Sequence, residues 1–142
     1  MKRHRILIDT GPIVAILSAA DQYHQRCTDE LAGLRPPLYT CWPVVTEAQW
    51  LLRRDARAVE GLFRAFASGL LALLPVDEEA MPWLAAFLRR YSKIEPDLAD
   101  ATLVYLAERE RIPTVFTLDQ RDFSLYRYSH HRRLKILPSP AP

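Results

Sequence analysis

The stretch RILIDT at residues 5–10 decides the fold of this chain, because it has the pattern of a short buried strand that ends on an aspartate, Asp9. A second run of the same kind, PTVFTLD at residues 113–119, ends on Asp119. An open parallel sheet binds its ligands just beyond the carboxyl ends of its strands. We therefore expect the two aspartates to lie side by side in one cleft.

Apolar runs of strand length alternate with segments of helical periodicity along the rest of the chain. The further strand candidates are residues 38–42, 70–76 and 134–137, and the helix candidates begin at Pro12, Asp21, Pro43, Asp55, Asp77 and Asp97. A polar loop is expected from Asp119 through Ser129. Strands that alternate with helices predict a three-layer α/β/α sandwich around a central parallel sheet.

The composition predicts one domain. A chain of 142 residues that is 49% hydrophobic buries a sizeable core but is too short for two ordinary domains. We assign residues 1–137 to this domain and residues 138–142 to a frayed tail. The net charge of +2 permits a nucleic-acid partner without requiring one. The basic residues at 2–5 and 130–133 either bind the phosphates of a nucleic acid or keep the protein soluble.

The sequence favours a cytoplasmic protein. Cys27 and Cys41 lie far apart and show neither zinc-ligand spacing nor a disulfide framework. The basic start and the apolar stretch after it resemble a secretory signal, but Asp9, Gly11 and Pro12 interrupt the stretch where a signal is continuously hydrophobic. No run is long enough to span a membrane, so we expect no membrane association.

Two more acids stand near predicted helix starts, Glu47 in WPVVTE and Asp100 in PDLADA. Together with Asp9 and Asp119 they place four carboxylates at one end of the sheet, where they would repel one another unless a cation lay among them. Oxygen ligands without a histidine or cysteine set favour Mg²⁺ or Mn²⁺ over zinc. The pattern indicates a hard-metal site for phosphodiester hydrolysis.

Each acid also has a purely structural explanation. Asp9 and Asp119 suit turns, and Glu47 gains from the positive end of its helix. Asp97, three residues before Asp100, matches an N-cap. Asp100 lies between two alanines, which leave room for a metal or another backbone. The positions of the four acids at four element ends favour a joint role over four separate ones.

The arrangement resembles the PIN-domain family, and in particular its VapC-like ribonuclease toxins. The stretches that carry the resemblance are ILIDTGP at 6–12, VTEA at 45–48, DLADA at 97–101 and TLDQRDF at 117–123. They cover nearly the whole chain in the order and spacing of the family's motifs. No single motif is specific, but four in sequence within one short domain are.

The resemblance implies that Asp9, Glu47, Asp100 and Asp119 form the family's acidic quartet, with Asp97 as an extra acid found in some members. It implies a Mg²⁺- or Mn²⁺-dependent endoribonuclease, the toxin of a toxin–antitoxin pair, with RNA as substrate and an antitoxin protein as partner. The basic residue that usually follows the fourth aspartate is Gln120 here, which puts RNA contact at that point in doubt. The alternative is a PIN-like domain that binds RNA or a protein without catalysis.

Association is a separate expectation. The predicted helices at 56–68 and 81–91 carry more apolar and aromatic side chains than one small sheet needs. Phe63, Phe66, Trp83 and Phe87 are the candidates for a homodimer face or an antitoxin groove. A role for the same side chains in the core alone is equally compatible with the pattern.

Overall fold

The computed structural model describes residues 4–139. Its strands are β1 (Leu7–Ile8), β2 (Leu38–Thr40), β3 (Leu71–Leu73), β4 (Thr114–Phe116), β5 (Arg127–Tyr128), β6 (Arg132–Arg133) and β7 (Lys135–Leu137). Its α-helices are α1 (Thr10–Leu17), α2 (His24–Ala32), α3 (Trp42–Leu52), α4 (Ala56–Ala67), α5 (Met81–Arg90), α6 (Leu98–Glu110) and α7 (Gln120–Leu125). A 3₁₀ turn, Glu78–Ala80, precedes α5.

Five strands form the central sheet in the order β3-β2-β1-β4-β7, and every neighbouring pair is parallel. Leu7 on the central strand pairs with Tyr39 on one side and Val115 on the other. Helices flank the sheet, which confirms the predicted three-layer α/β/α class. Since β1 and β4 are neighbours and run in the same direction, the residues that follow them meet at one edge.

The core lies between the sheet and its helices. Leu7, Ile8 and Phe116 on the two inner strands are at most 1% exposed, as expected for parallel strands covered on both faces. Helix α6 is buried along most of its length and packs against α3 and α5. This burial fixes the start of α6, and therefore Asp100, relative to the ends of β1 and β4.

Two predicted helix starts are wrong. Helix α1 begins at Thr10 with Asp9 as its N-cap, so Gly11 and Pro12 belong to its first turn rather than to a turn before it. Asp21 does not cap α2, which begins at His24. Its carboxylate instead accepts a hydrogen bond from the Tyr23 N–H at 2.8 Å, which closes a separate turn before the helix.

The predicted polar loop through Ser129 is also wrong. Its first half is helix α7, and β5 then pairs antiparallel with β6 to form a small second sheet. Polar and basic residues dominate both strands, so no apolar alternation signalled them. In the predicted tail, Pro138 is buried and its carbonyl accepts a hydrogen bond from Gln120 at 2.7 Å, whereas residues 140–142, like the basic residues 2–3, lie outside the described part.

The four candidates for an association face differ in exposure. Phe63 on α4 is 54% exposed, because Ala58, Leu62 and Ala65 form the buried side of that helix. Phe87 is buried, so for this side chain the core interpretation holds. The remaining two, Phe66 and Trp83, are partly buried. Within residues 4–139, no helix combines the length and the apolar character needed to cross a membrane.

Candidate active site

An acidic cleft opens at the edge of the sheet where β1 and β4 end and where α3 and α6 begin. Its volume is 460 Å³, and seven carboxylates line it: Asp9, Glu47, Glu95, Asp97, Asp100, Asp119 and Asp122. The structure thus brings all five acids singled out from the sequence to one cleft. None of the described residues lining it is a lysine or an arginine, so the carboxylates face one another without a nearby cationic side chain.

Asp9 lies at the bottom of the acidic cleft and is 6% exposed. One of its carboxylate oxygens accepts a hydrogen bond from the Thr10 N–H at 2.8 Å, and the other accepts one from the Thr117 hydroxyl at 2.8 Å. Burial raises the pKa of Asp9 to about 6, and the charges of Asp97 and Glu47 add to the rise, against the two hydrogen bonds. The carboxylate is therefore fixed in position but costly to ionise.

Asp100 projects from the first turn of α6, where the Tyr126 hydroxyl donates a hydrogen bond to its carboxylate at 2.9 Å. The pKa of Asp100 is raised to about 8. Burial is the largest cause and the charges of Asp97 and Asp9 raise the pKa further, whereas the hydrogen bond from Tyr126 lowers it. Tyr126 is fully buried among aromatic rings. The orientation of Asp100 is thus set by a rigid neighbour rather than by solvent.

Asp97 caps α6, as its sequence pattern predicted: its carboxylate accepts a hydrogen bond from the Asp100 N–H at 2.8 Å. The same carboxylate lines the acidic cleft, and its charge raises the pKa of Asp9, Glu47 and Asp100. The structural and electrostatic roles of this residue therefore coexist.

Glu47 on α3 and Asp119 between β4 and α7 also line the cleft. Burial is the main cause of the raised pKa of Glu47. The charge of Asp97 raises this pKa further, and the Thr10 side chain lowers it. Burial and then the charge of Asp122 raise the pKa of Asp119, and the Asp122 backbone N–H lowers it. Asp119 is the N-cap residue of α7, so it lies at a turn as well as in the cleft.

Three residues of the site were missed or undervalued in the sequence. Glu95 enters the cleft because its backbone adopts a left-handed conformation, with φ of 57°, just before Pro96. Asp122 lines the cleft one turn after Asp119, although it was not among the acids singled out from the sequence. Thr117 was overlooked, yet a hydroxyl residue two positions before Asp119 in a mostly apolar run is a signal that sequence reasoning can use.

The donor chemistry of the cleft fits a hard divalent cation. Every candidate ligand is a carboxylate oxygen, and the Thr10 hydroxyl beside them is buried without a hydrogen-bond partner of normal geometry. The carboxyl pKa values are raised first by burial and then by the neighbouring negative charges, and a bound cation would oppose both effects. Within residues 4–139, however, no three such side chains are close enough to form a complete ligand shell. The carboxylates surround a cleft rather than a single point.

Comparison with known families agrees with this geometry. A sequence model of the PIN domain matches residues 6–129, which is most of the chain. The chain belongs to the PIN domain family. The matched region runs from the strand before Asp9 to the end of β5 and so includes every acid of the cleft.

Two relatives of this PIN domain come from Mycobacterium tuberculosis. Ribonuclease VapC26 is 28% identical over 135 residues, which cover 94% of this chain and 100% of that protein. The crystal structure of VapC20, described as a sarcin-ricin loop cleaving toxin, superimposes with a TM-score of 0.74 at 22% identity and covers 82% of this chain and 91% of that one. The second comparison confirms the fold.

The structure also explains the departure at Gln120. Its amide donates hydrogen bonds to the carbonyls of Pro138 at 2.7 Å and of Thr117 at 3.4 Å, so the side chain ties α7 to the end of β7. Arg121 next to it is exposed and does not line the cleft. Gln120 therefore has a structural role, and cationic contacts to a nucleic acid must come from elsewhere on the surface.

Proposed function

We propose that this PIN domain is an endoribonuclease that hydrolyses RNA phosphodiester bonds with Mg²⁺ or Mn²⁺, and that it is the toxin of a toxin–antitoxin pair. The observation that carries the proposal is the acidic cleft: at least four carboxylates with raised pKa values converge where two parallel strands end. The name of the relative VapC26, a ribonuclease, and the description of VapC20 as a sarcin-ricin loop cleaving toxin support the same activity.

The buried pair Asp9 and Asp100 would hold the ion, because both are fixed by hydrogen bonds and both are costly to leave as unpaired charges. Glu47 and Asp119 would complete its surroundings or orient water, with Asp97 as a further acid at the rim. When bound, the ion would supply an activated water for in-line attack on phosphorus, and a second ion would stabilise the leaving oxygen.

Three residues would act as positioning residues for this chemistry. Thr117 holds the Asp9 carboxylate, Tyr126 holds that of Asp100, and the backbone of Asp100 is held by Asp97. Hydrogen-bonded partners of this kind keep metal-binding carboxylates in one orientation and typically matter about 10- to 100-fold for activity or metal affinity. These bonds would hold the two carboxylates in one orientation before an ion binds.

The partners follow from this proposal. A ribonuclease toxin requires a protein that restrains it, so we infer an antitoxin partner. Exposed Phe63 on α4 fits either this partner or a homodimer contact. Cys27 and Cys41 are both buried as free thiols, which agrees with a cytoplasmic location.

Cleavage of RNA by the purified chain tests the proposal. We expect a labelled single-stranded RNA or RNA stem-loop to be cut in Mg²⁺ or Mn²⁺ and to remain intact in EDTA, and we expect Asp9→Asn to remove most of the activity. Cleavage that resists EDTA would refute the metal-dependent mechanism. A wild-type chain that binds RNA but never cuts it would instead favour the non-catalytic alternative.

A further inference from the structure

A second pocket of 160 Å³ lies between helix α5 and the β5–β6 hairpin, away from the residues that line the acidic cleft. We call it the hairpin pocket. Its cationic and imidazole side chains are Arg90, Arg127, His130 and His131, and its apolar wall is formed by Trp83 and Phe87. Guanidinium groups beside an aromatic wall are the chemistry that binds the phosphates and bases of single-stranded nucleic acids.

The hairpin pocket is held in shape by a half-buried hydrogen-bond network. Glu108 on α6 accepts hydrogen bonds from the Trp83 indole N–H at 2.8 Å and from the Ser129 N–H at 2.7 Å, one at each carboxylate oxygen. Both oxygens of the one acid in the pocket are thus occupied. Arg127 is anchored through a single nitrogen, which donates to the carbonyls of Ser124 at 2.7 Å and Tyr126 at 2.9 Å.

The turn of the hairpin has a strained backbone. Ser129, His130 and His131 all have positive φ values, of 37°, 61° and 82°. Non-glycine residues rarely adopt this conformation, and they keep it where the surrounding structure requires it. Here the strained turn places both imidazoles at the pocket, opposite Arg90 on α5.

Two tyrosines connect the hairpin pocket to the acidic cleft. The Arg127 N–H donates to the Tyr91 hydroxyl at 3.0 Å, and the ring of Tyr91 packs edge-on against that of Tyr126 at 5.1 Å between centroids. Tyr126 in turn holds Asp100. One layer of aromatic rings therefore separates the pocket from a carboxylate of the proposed metal site.

We propose that the hairpin pocket binds a nucleotide of the RNA substrate that flanks the phosphodiester cut in the acidic cleft. This inference rests on the proposed ribonuclease function. A cleft lined by carboxylates repels the phosphates on either side of the one that the metal ion holds, so a polyanionic substrate requires cations nearby. Arg90 and Arg127 supply them, and the partly buried ring of Trp83 offers an aromatic wall to a base.

Direct RNA binding tests this inference independently of cleavage. Fluorescence anisotropy of a labelled single-stranded oligonucleotide is measured in EDTA, and its integrity is checked on a gel after each titration. We expect Arg90→Gln to weaken binding several-fold at low salt and to reduce the slope of log K against log salt concentration by about 0.7, the value for one phosphate contact on a single strand.

Arg89→Gln is the matched control, since Arg89 lies next to Arg90 in the last turn of α5, is exposed and does not line the pocket. Its removal changes the net charge equally and is expected to leave the affinity near that of the wild type. A second variant, His131→Asn, keeps a residue type that tolerates positive φ and is expected to weaken binding as well.

The indole N–H signal of Trp83 in NMR spectra, assigned with Trp83→Phe, is expected to shift during the RNA titration. Equal affinities of Arg90→Gln and Arg89→Gln, or a Trp83 signal that does not move, would overturn the inference even if the chain cuts RNA. Binding that depends on Arg90 in a chain that never cuts RNA would overturn the ribonuclease function and leave the pocket as an RNA site. If Arg90→Gln weakened binding to an acidic protein but left binding to RNA unchanged, the pocket would be assigned to a protein partner.

Discussion

Replacement of Asp9 by asparagine is expected to stabilise the metal-free chain at neutral pH. Burial raises the pKa of this carboxyl from its ordinary 3.8 to about 6. The folded state therefore holds the proton more tightly than the unfolded state, and the wild type loses stability as the pH rises from 3.8 to 6. At about 1.4 kcal/mol per pKa unit, the full loss above pH 6 is about 3 kcal/mol.

Asparagine avoids this loss but changes the hydrogen bond with Thr117, at a cost of about 1 kcal/mol. The net gain at pH 7.5 is thus about 2 kcal/mol, or roughly 7 °C in Tm for a domain of this size. The gain is expected to shrink as the pH falls below 6 and to reverse near pH 4, where both side chains are neutral.

Thermal melts in EDTA from pH 4 to pH 8 measure this difference. Asp55→Asn is the control, because Asp55 caps α4 outside the cleft through a 3.1 Å hydrogen bond from the Ala58 N–H and asparagine caps about as well. Its melting curves are expected to follow those of the wild type at each pH. An Asp9→Asn chain that is less stable than the wild type at pH 7.5, or whose advantage does not vary with pH, would refute the electrostatic reasoning.

Three further outcomes follow from the same geometry. Tyr126→Phe removes the hydroxyl that lowers the pKa of Asp100. We expect RNA cleavage to fall about 10-fold and its pH profile to move to higher pH. An unchanged pH profile would exclude a role for Tyr126 in lowering the pKa of Asp100. Mg²⁺ or Mn²⁺ should raise the Tm of the wild type, EDTA should reverse the rise, and Asp100→Asn should abolish it, as scanning fluorimetry would show. Light scattering at micromolar concentration is expected to give a dimer, and a strict monomer would remove the homodimer proposal.

The sequence was most informative where apolar runs end on acids. The strands before Asp9 and Asp119 were found because burial on both faces leaves a mostly apolar run, and the shared edge of a parallel sheet then places their ends together. Asp97 was recognised as a cap from its spacing to Asp100 alone. These inferences depend on local pattern and on general rules of sheet topology, which one sequence suffices to apply.

The sequence was least informative where tertiary contacts decide the structure. Helix α7 and the β5–β6 hairpin are short and polar, so no hydrophobic period marks them. Tyr126 reaches Asp100 from 26 positions away in the sequence, and no local pattern links the two. Glu95 joins the cleft through a left-handed backbone conformation that its residue type does not favour. Contacts of this kind become visible only once the chain is folded.

Single-turnover RNA cleavage by Asp100→Asn and Asp97→Ser in Mg²⁺ tests the central claim most directly. Serine caps a helix about as well as aspartate, so Asp97→Ser is expected to keep the wild-type Tm and most of the cleavage. Asp100→Asn is expected to keep the fold and lose cleavage by at least about 100-fold, because an amide lacks the charge that a divalent ion requires. Equal loss in both variants would make Asp97 a metal-site residue, and a fully active Asp100→Asn chain would contradict the account of the acidic cleft as the catalytic site.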